Sequence, residues 1–303
     1  MPNTNAILKL KRSGPKNCFL LMLTFLIYSC GENKSSDSNT DEVSFGKTSP
    51  ISFTAIGDVP YNEEQRLGLI NIISKHNTTN SSEFVIHVGD IKPGAIACDE
   101  EVYLDVADIL KTFKVPTFIV LGDNEYNDCE DPQQALEYWN KHFLHFNENW
   151  AFEPEVTYQT ERPENFSWVE NKVLFIGINL VGSKVHDSIE WSERLTQNGL
   201  LIKTLLEKQK NNVNAMVVFA HANIVEAGPD KFKPFTDLFR AAAKSFEKPV
   251  LMVQGDGHFW IKDKPWQEQN ITRLQIDGRD TAVKITVDSN LEYPFIFDRN
   301  FLN

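Results

Sequence analysis

From residue 51 onward, short unbroken apolar runs alternate with stretches whose apolar positions recur every three or four residues. Residues 51–56, 84–88 and 117–121 have the length and the Val, Ile and Phe content of buried strands. Between them, 63–75 sets Leu67, Ile70 and Ile73 at helical spacing, and 100–113 does the same with Val102, Val106, Ile109 and Phe113. The order βαβαβ predicts a mainly parallel sheet. Residues 132–146 predict a helix with Pro132 in its first turn. The stretch 147–165 is irregular, with Trp150, Phe152 and Tyr158 available to line or pack a cleft. A hairpin is expected over 166–170 and 172–179 around Asn171, and helices over 189–209 and 232–246. Residues 215–220, 250–254, 271–276 and 282–287 predict strands, the last two paired antiparallel with each other. No repeat or second linker interrupts this pattern, so 51–303 reads as one α/β domain of two sheets with helices outside.

The first fifty residues follow a different pattern. Lys9, Lys11, Arg12 and Lys16 precede an apolar run from Cys18 to Tyr28, which is the length of a signal-peptide core and too short to span a bilayer. The run ends in Leu26-Ile27-Tyr28-Ser29-Cys30-Gly31, which resembles a bacterial lipobox and implies cleavage after residue 29 and lipidation of Cys30. An ordinary signal peptide or a buried helix is the alternative. Residues 30–50 are rich in Ser, Asn, Asp, Glu and Lys and too poor in apolar surface to fold, so they are expected to form a flexible acidic tether. The implied location is extracytoplasmic, held to a bacterial membrane, on its periplasmic face or at the cell surface, by the lipid alone.

Charge narrows the partners. The chain carries a net −12, which becomes −16 once the four basic residues of 1–29 are removed, a poor match for nucleic acid. Cys98 and Cys129 each follow a Gly-Asp pair, eight residues past Asp90 and six past Asp123. If those loops are neighbours the two cysteines can bridge, as an oxidising compartment permits; otherwise they are two buried thiols.

The Gly-Asp pair is the main chemical signal. An apolar run leads into it at Gly57-Asp58, Gly89-Asp90, Gly122-Asp123 and Gly255-Asp256. In open α/β sheets the carboxyl ends of strands form the ligand crevice. Four carboxylates gathered there would repel one another unless a cation held them, and no block of Lys or Arg accompanies them. His221 ends another apolar run and His258 lies two residues past Asp256. Imidazole and carboxylate together suit Zn, Mn or Fe.

In order and spacing, these segments resemble the signature of calcineurin-like metallophosphoesterases, Asp, Gly-Asp, Gly-Asn-His-Glu, His, Gly-His-x-His, across roughly residues 51–260. Gly57-Asp58-Val59-Pro60-Tyr61 and Gly122-Asp123-Asn124-Glu125-Tyr126 look like a divergent bacterial branch of that family. The resemblance implies a four-layer αββα sandwich of two mixed sheets. It also implies a site for two divalent transition-metal ions, one of them open to replacement by a trivalent ion. Position by position, Asp58 and His258 would bind the first metal and Asp90 would bridge both. Asp123, His221 and Asp256 would bind the second. The implied reaction is hydrolysis of a small phosphomonoester or phosphodiester by a hydroxide bridging the ions.

The departures from the signature matter as much. Pro60 stands where the family has a histidine ligand, and Asn124 where it has the histidine often assigned as proton donor. Asn124 can hydrogen-bond a phosphate oxygen but cannot protonate a leaving alkoxide. Glu125, Tyr61 and Tyr126 are the nearest acids in sequence, each expected to be structural. Four carboxylates cancel two divalent ions, so a further cation is useful; Lys92, two residues past Asp90, is the best placed, its alternative being a solvated loop lysine. His87 is expected to pack beneath the site, His142 and His145 to lie on a surface helix, and His76 and His186 to lie in loops. Two other functions are compatible with the sequence: a catalytically degenerate metal-binding or scaffold lipoprotein that retains the fold, and a metal-dependent hydrolase acting on another bond.

Overall fold

The structure, a computed structural model, describes residues 48–303; the expected leader, the lipid site at Cys30 and most of the tether lie outside them. Strand β1 (Ile51–Ile56) turns Ile51, Phe53 and Ala55 to one side and Ile56 to the other, following the two-residue period of a strand. β2 (Phe84–His87) and β3 (Thr117–Ile119) continue this alternation, with Phe84, Ile86 and Phe118 on the first side. They meet Phe166 and Trp168 of β5 (Phe166–Glu170), Phe175 of β6 (Val173–Gly177), Phe219 of β7 (Ala215–Phe219) and Val253 of β8 (Val250–Gln254). Between the sheets the aromatic rings pack directly, Phe118 on Trp168 at 4.4 Å and Trp168 on Phe175 at 4.9 Å between centroids.

The outer faces carry the helices. Val85 and Ile119 pack under α1 (Glu63–Thr79), α2 (Glu100–Leu110) and α3 (Pro132–Phe143), through Leu69, Val106 and Trp139. Leu174, Val218 and Met252 pack under α4 (Ser188–Gln209) and α5 (Lys233–Phe246), through Leu195, Ile202 and Phe239. The architecture is therefore the four-layer αββα sandwich, with two mixed sheets. The first sheet has the order β12-β11-β1-β2-β3, with β1, β2 and β3 parallel. The second has the order β4-β5-β6-β7-β8-β10-β9, with β6, β7, β8 and β10 parallel. The remaining strands are β4 (Thr157–Tyr158), β9 (Ile261–Asp263), β10 (Ile271–Gln275), β11 (Val283–Val287) and β12 (Phe295–Asp298).

One pairing differs from the sequence expectation. β10 and β11 do not pair with each other: β10 lies parallel to β8 in the second sheet, and β11 lies antiparallel to β1 in the first. The link 276–282 crosses between the sheets instead of turning back. Arg279 N–H donates to Asp58 O at 3.1 Å, and the chain reaches it through Gly278 at φ +70°. The hairpin of β5 and β6 turns on Asn171 and Lys172, both at positive φ, as a two-residue turn requires. His76, expected in a loop, lies buried in the last turn of α1, which runs on to Thr79 and ends at Asn80 in the left-handed region. Among the described residues no helix is long and apolar enough to cross a membrane.

Candidate metal centre

The parallel strands of both sheets end on one side of the molecule, and each Gly-Asp pair follows such an end: Asp58 after β1, Asp90 after β2, Asp123 after β3 and Asp256 after β8. The glycines let these ends crowd together. A Cβ on Gly122 would collide with the backbone N of Asp90, and one on Gly255 would lie 2.5 Å from Asp58 Oδ2. Asp58, Asp90, Asp256 and His258 all adopt positive φ, an uncommon conformation that aims their side chains into one space.

Two clusters of donors result. One joins Asp58, Asp90 and His221, and the other joins Asp123, His221 and Asp256. His221 lies between them, with Nε2 3.2 Å from Asp90 Oδ1 and 2.8 Å from Asp123 Oδ1. His221 Nδ1 lies 2.7 Å from Val88 O, so that nitrogen carries a proton and donates, and Nε2 is the nitrogen turned toward the carboxylates. Neither His221 Nε2 nor Asp123 Oδ1 makes a hydrogen bond of proper geometry, and Asp58 Oδ2 is also buried without a partner. On the far side of Asp90, Oδ2 accepts from Tyr61 OH and from Asn124 Nδ2, each at 2.6 Å. His258 Nε2 lies 3.2 Å from Asp58 Oδ1.

Electrostatics suit a cation among these carboxylates. Burial, together with Asp123, Glu125 and Asp58, pushes the Asp90 carboxyl well above its usual range, and burial with Asp123 and Asp58 raises Asp256. His221 is penalised by burial, but Asp90 and Asp123 outweigh that and hold its ring well above the ordinary imidazole value. Burial and the charges of Asp90 and Asp58 raise the Tyr61 phenol. Orphaned buried lone pairs beside mutually repelling carboxylates fit a bound metal, and the oxygen-rich set with two imidazoles suits Mn, Fe or Zn.

The other expected residues fall as follows. Asn124 commits its amide hydrogens to Asp90 Oδ2 and, at 3.1 Å, to Tyr61 OH. Lys92 is neither solvated nor aimed at the site: it is 2% exposed, and its ammonium donates to Pro93 O and Ile96 O, closing its own loop. The physical reason is that the turn over 93–96 aims the carbonyls of Pro93 and Ile96 at the buried ammonium, which needs acceptors there. Glu125 is fully buried and accepts the N–H groups of Asp90, Ile91 and Gly122. Tyr126 packs beneath Arg194. His87 bridges the end of β2 to the segment that follows β1, its Nε2 3.0 Å from Val59 O and its Nδ1 accepting from Gly89 N–H. His142 lies 2.9 Å from Glu100, while His145, just beyond α3, stacks on Tyr158. Cys98 and Cys129 form a disulfide, with Cα atoms 5.8 Å apart, that ties the loop before α2 to the loop after Asp123. The contact that sequence reasoning missed is Tyr61. Its signal was its place directly after Pro60, where the family's ligand is absent.

A two-sheet sandwich that gathers such donors at its strand ends defines a metal-dependent hydrolase. The profile of the calcineurin-like phosphoesterase family matches residues 51–252, and the chain belongs to that family as a metal-dependent phosphoesterase. Among solved structures, it is similar to a dimetal phosphatase from Danio rerio, with 11% identity and a TM-score of 0.50 over 82% of this chain and 99% of that one. It is also similar to GAP50, the anchor in the inner membrane complex of Plasmodium, with 12% identity and a TM-score of 0.48 over 82% and 88% of the two chains. A 5'-nucleotidase from Candida albicans gives 14% identity and a TM-score of 0.46 over 83% and 52%. No curated protein is similar enough in sequence to match.

Proposed function

We propose that Asp58, Asp90 and His258 hold a first metal ion and Asp90, Asp123, His221 and Asp256 a second, and that the protein hydrolyses a small phosphomonoester or phosphodiester outside the cytoplasm while anchored through a lipid on Cys30. The observation that carries this is the two-sided placement of Asp90. Its Oδ1 faces His221 at 3.2 Å, and its Oδ2 faces the opposite group, where Tyr61 OH lies 2.6 Å away and 3.2 Å from His258. A carboxylate so placed can serve two ions at once.

When bound, the ions supply an activated water as nucleophile and a clamp on the phosphate oxygens. The protein supplies position. Val88 O fixes the His221 tautomer, Asn223 N–H holds Asp256 Oδ2 at 2.8 Å, and Asp256 N–H holds Asp58 Oδ1 at 3.0 Å. Asn124 N–H holds Asp90 Oδ1 at 3.0 Å. Asn124 acts in this reading as a brace on the bridging carboxylate, and Lys92 as a loop fastener.

A second reading is favoured by one observation. Asn124 and Lys92 both spend their donors inside the protein, which leaves the leaving group without an evident proton donor. A metal-binding or scaffold lipoprotein would need none.

The test is metal content and hydrolysis of an aryl phosphate monoester and diester, recorded on one sample of the full-length chain in detergent, beside Asp90→Asn. About two ions per chain, lost together with turnover in the variant, support the proposed hydrolase. Two ions with no turnover of any ester favour the scaffold. A metal-replete chain that binds nothing would sink both.

A further inference from the structure

Thr48 extends the pairing of β1 with β11. Those strands align Ile51 with Val287, and Thr48 keeps that register past the strand ends, opposite Asn290. Thr48 N–H donates to Asn290 Oδ1 at 3.3 Å, and Asn290 Nδ2 donates to Thr48 O at 2.8 Å. The hydroxyls of Thr48 and Ser289 lie 2.8 Å apart. Ser289 and Asn290 belong to the turn from β11 to β12, so the chain that precedes Thr48 arrives beside that turn.

The next residues of the turn wall an apolar groove. Leu291 and Tyr293 are 48% and 76% exposed, and with the half-buried Phe295 and Phe297 of β12 they line a space of about 770 Å³ that Thr272 of β10 also borders. Phe295 and Phe297 pack against the core between the sheets, so the groove opens at the margin of that core. Its rim carries Lys248, Lys262 and Lys264. Lys248 and Lys264 donate to backbone carbonyls, and Lys262 lies over the Phe297 ring at 5.0 Å. Of the acids there, Asp263 is already paired with Arg273, and Glu247 and Glu292 leave the rim weakly basic. An apolar face of this size beside polar groups marks a place where something binds.

We propose that the occupant is the protein's own segment Asp41-Glu42-Val43-Ser44-Phe45. Val43 and Phe45 are the two large apolar residues between Gly31 and Lys47. Two apart, they share one face of an extended chain, while Glu42 and Ser44 take the other. Phe45 is three residues before Thr48, roughly 10 Å of extended chain, and Thr48 is held by the neighbour of Leu291. So short an attachment gives the segment a local concentration that a separate partner lacks. In the groove Phe45 covers Leu291 and Tyr293, and Asp41 and Glu42 meet the lysines. The link to the anchor proposed at Cys30 then shrinks to residues 31–40, about 35 Å at full extension, which limits how far the domain can stand from the membrane.

The experiment is amide hydrogen exchange, read by mass spectrometry, on the full-length chain with nanodiscs of phosphatidylethanolamine and phosphatidylglycerol. Phe45→Asp and Tyr293→Ala are treated alike. Expected in the wild type is exchange over 41–45 slowed about tenfold or more relative to an unstructured chain, with slowed exchange over 291–293 as well. Each variant should lose both effects while β6 and β7 exchange as in the wild type, which shows the fold intact. Unprotected 41–45 in the wild type, or protection that survives Phe45→Asp, would overturn the assignment. Protection of 291–293 without 41–45 would overturn it too, in favour of a second copy where it grows with protein concentration and of the bilayer where it does not.

Discussion

The backbone N–H of Asp90 donates to the carboxylate of Glu125, 3.1 Å away, so the aspartate proposed to bridge the ions is positioned by a second acid that is itself fully buried. Gly122 N–H shares Glu125 Oε1, and Ile91 N–H takes Oε2. One side chain thus fixes the ends of β2 and β3 together. Glu125→Gln keeps the shape but turns an amide donor toward at least one of these N–H groups. It should cost about 1–3 kcal/mol, read as a lower denaturant midpoint, and should weaken metal binding in titrations at matched pH.

Gly122 allows the same approach from the other side. In Gly122→Ala the new methyl would overlap the Asp90 backbone, so the strand ends must part. We expect a loss of about 1–3 kcal/mol and, more tellingly, fewer bound ions per folded chain. Unchanged metal stoichiometry in this variant would show that the close approach is not what sets the spacing of the donors.

The disulfide closes a loop between Cys98 and Cys129, 31 residues apart. Chain-entropy arguments assign such a loop about 3–4 kcal/mol. The double serine variant should lose roughly that in equilibrium unfolding, with the wild type under reductant matching it. A difference well below 1 kcal/mol would mean that the reduced loops hold each other without the bridge.

His76 adds a pH dependence away from the metal ligands. Its ring is buried against Phe113, Nε2 pairs with Ser82 Oγ at 2.8 Å, and Nδ1 has no partner. Burial pushes its pKa down to about 4. The unfolded chain binds the proton near pH 6.5, so the unfolded state holds more protons between those values. The contribution of His76 is intact above about pH 6.5 and is lost as the pH falls toward 4. Unfolding midpoints measured across that window should decline with acid in the wild type and less steeply in His76→Leu.

The legible parts of the sequence were those where one physical rule dominates. The apolar runs at β1, β2, β6 and β7 are buried on both faces, so their identity survives any choice of neighbour. The four Gly-Asp pairs were readable because crowded strand ends demand glycine and the chemistry demands acid. Where partners decide, the chain said less. Nothing local in β10 and β11 tells that Asp58 draws the link between them from one sheet to the other. β9 and β12 are short, half-exposed edge strands, too brief for periodicity to mark. Lys92, two residues past Asp90, reads as a cation for the site or a solvated loop lysine, and only the fold reveals the carbonyls that take its ammonium.

That crossing link has a consequence in time. β1 lies in the interior of its sheet, between β2 and β11, so the earliest strand of the domain is completed by one of the last. Asp58, at the end of β1, receives its backbone contact from Arg279. The surroundings of Asp58 therefore cannot be completed until nearly the whole domain is free to fold, and pairings this distant in sequence form slowly. Metal uptake should trail the recovery of helix and sheet in refolding.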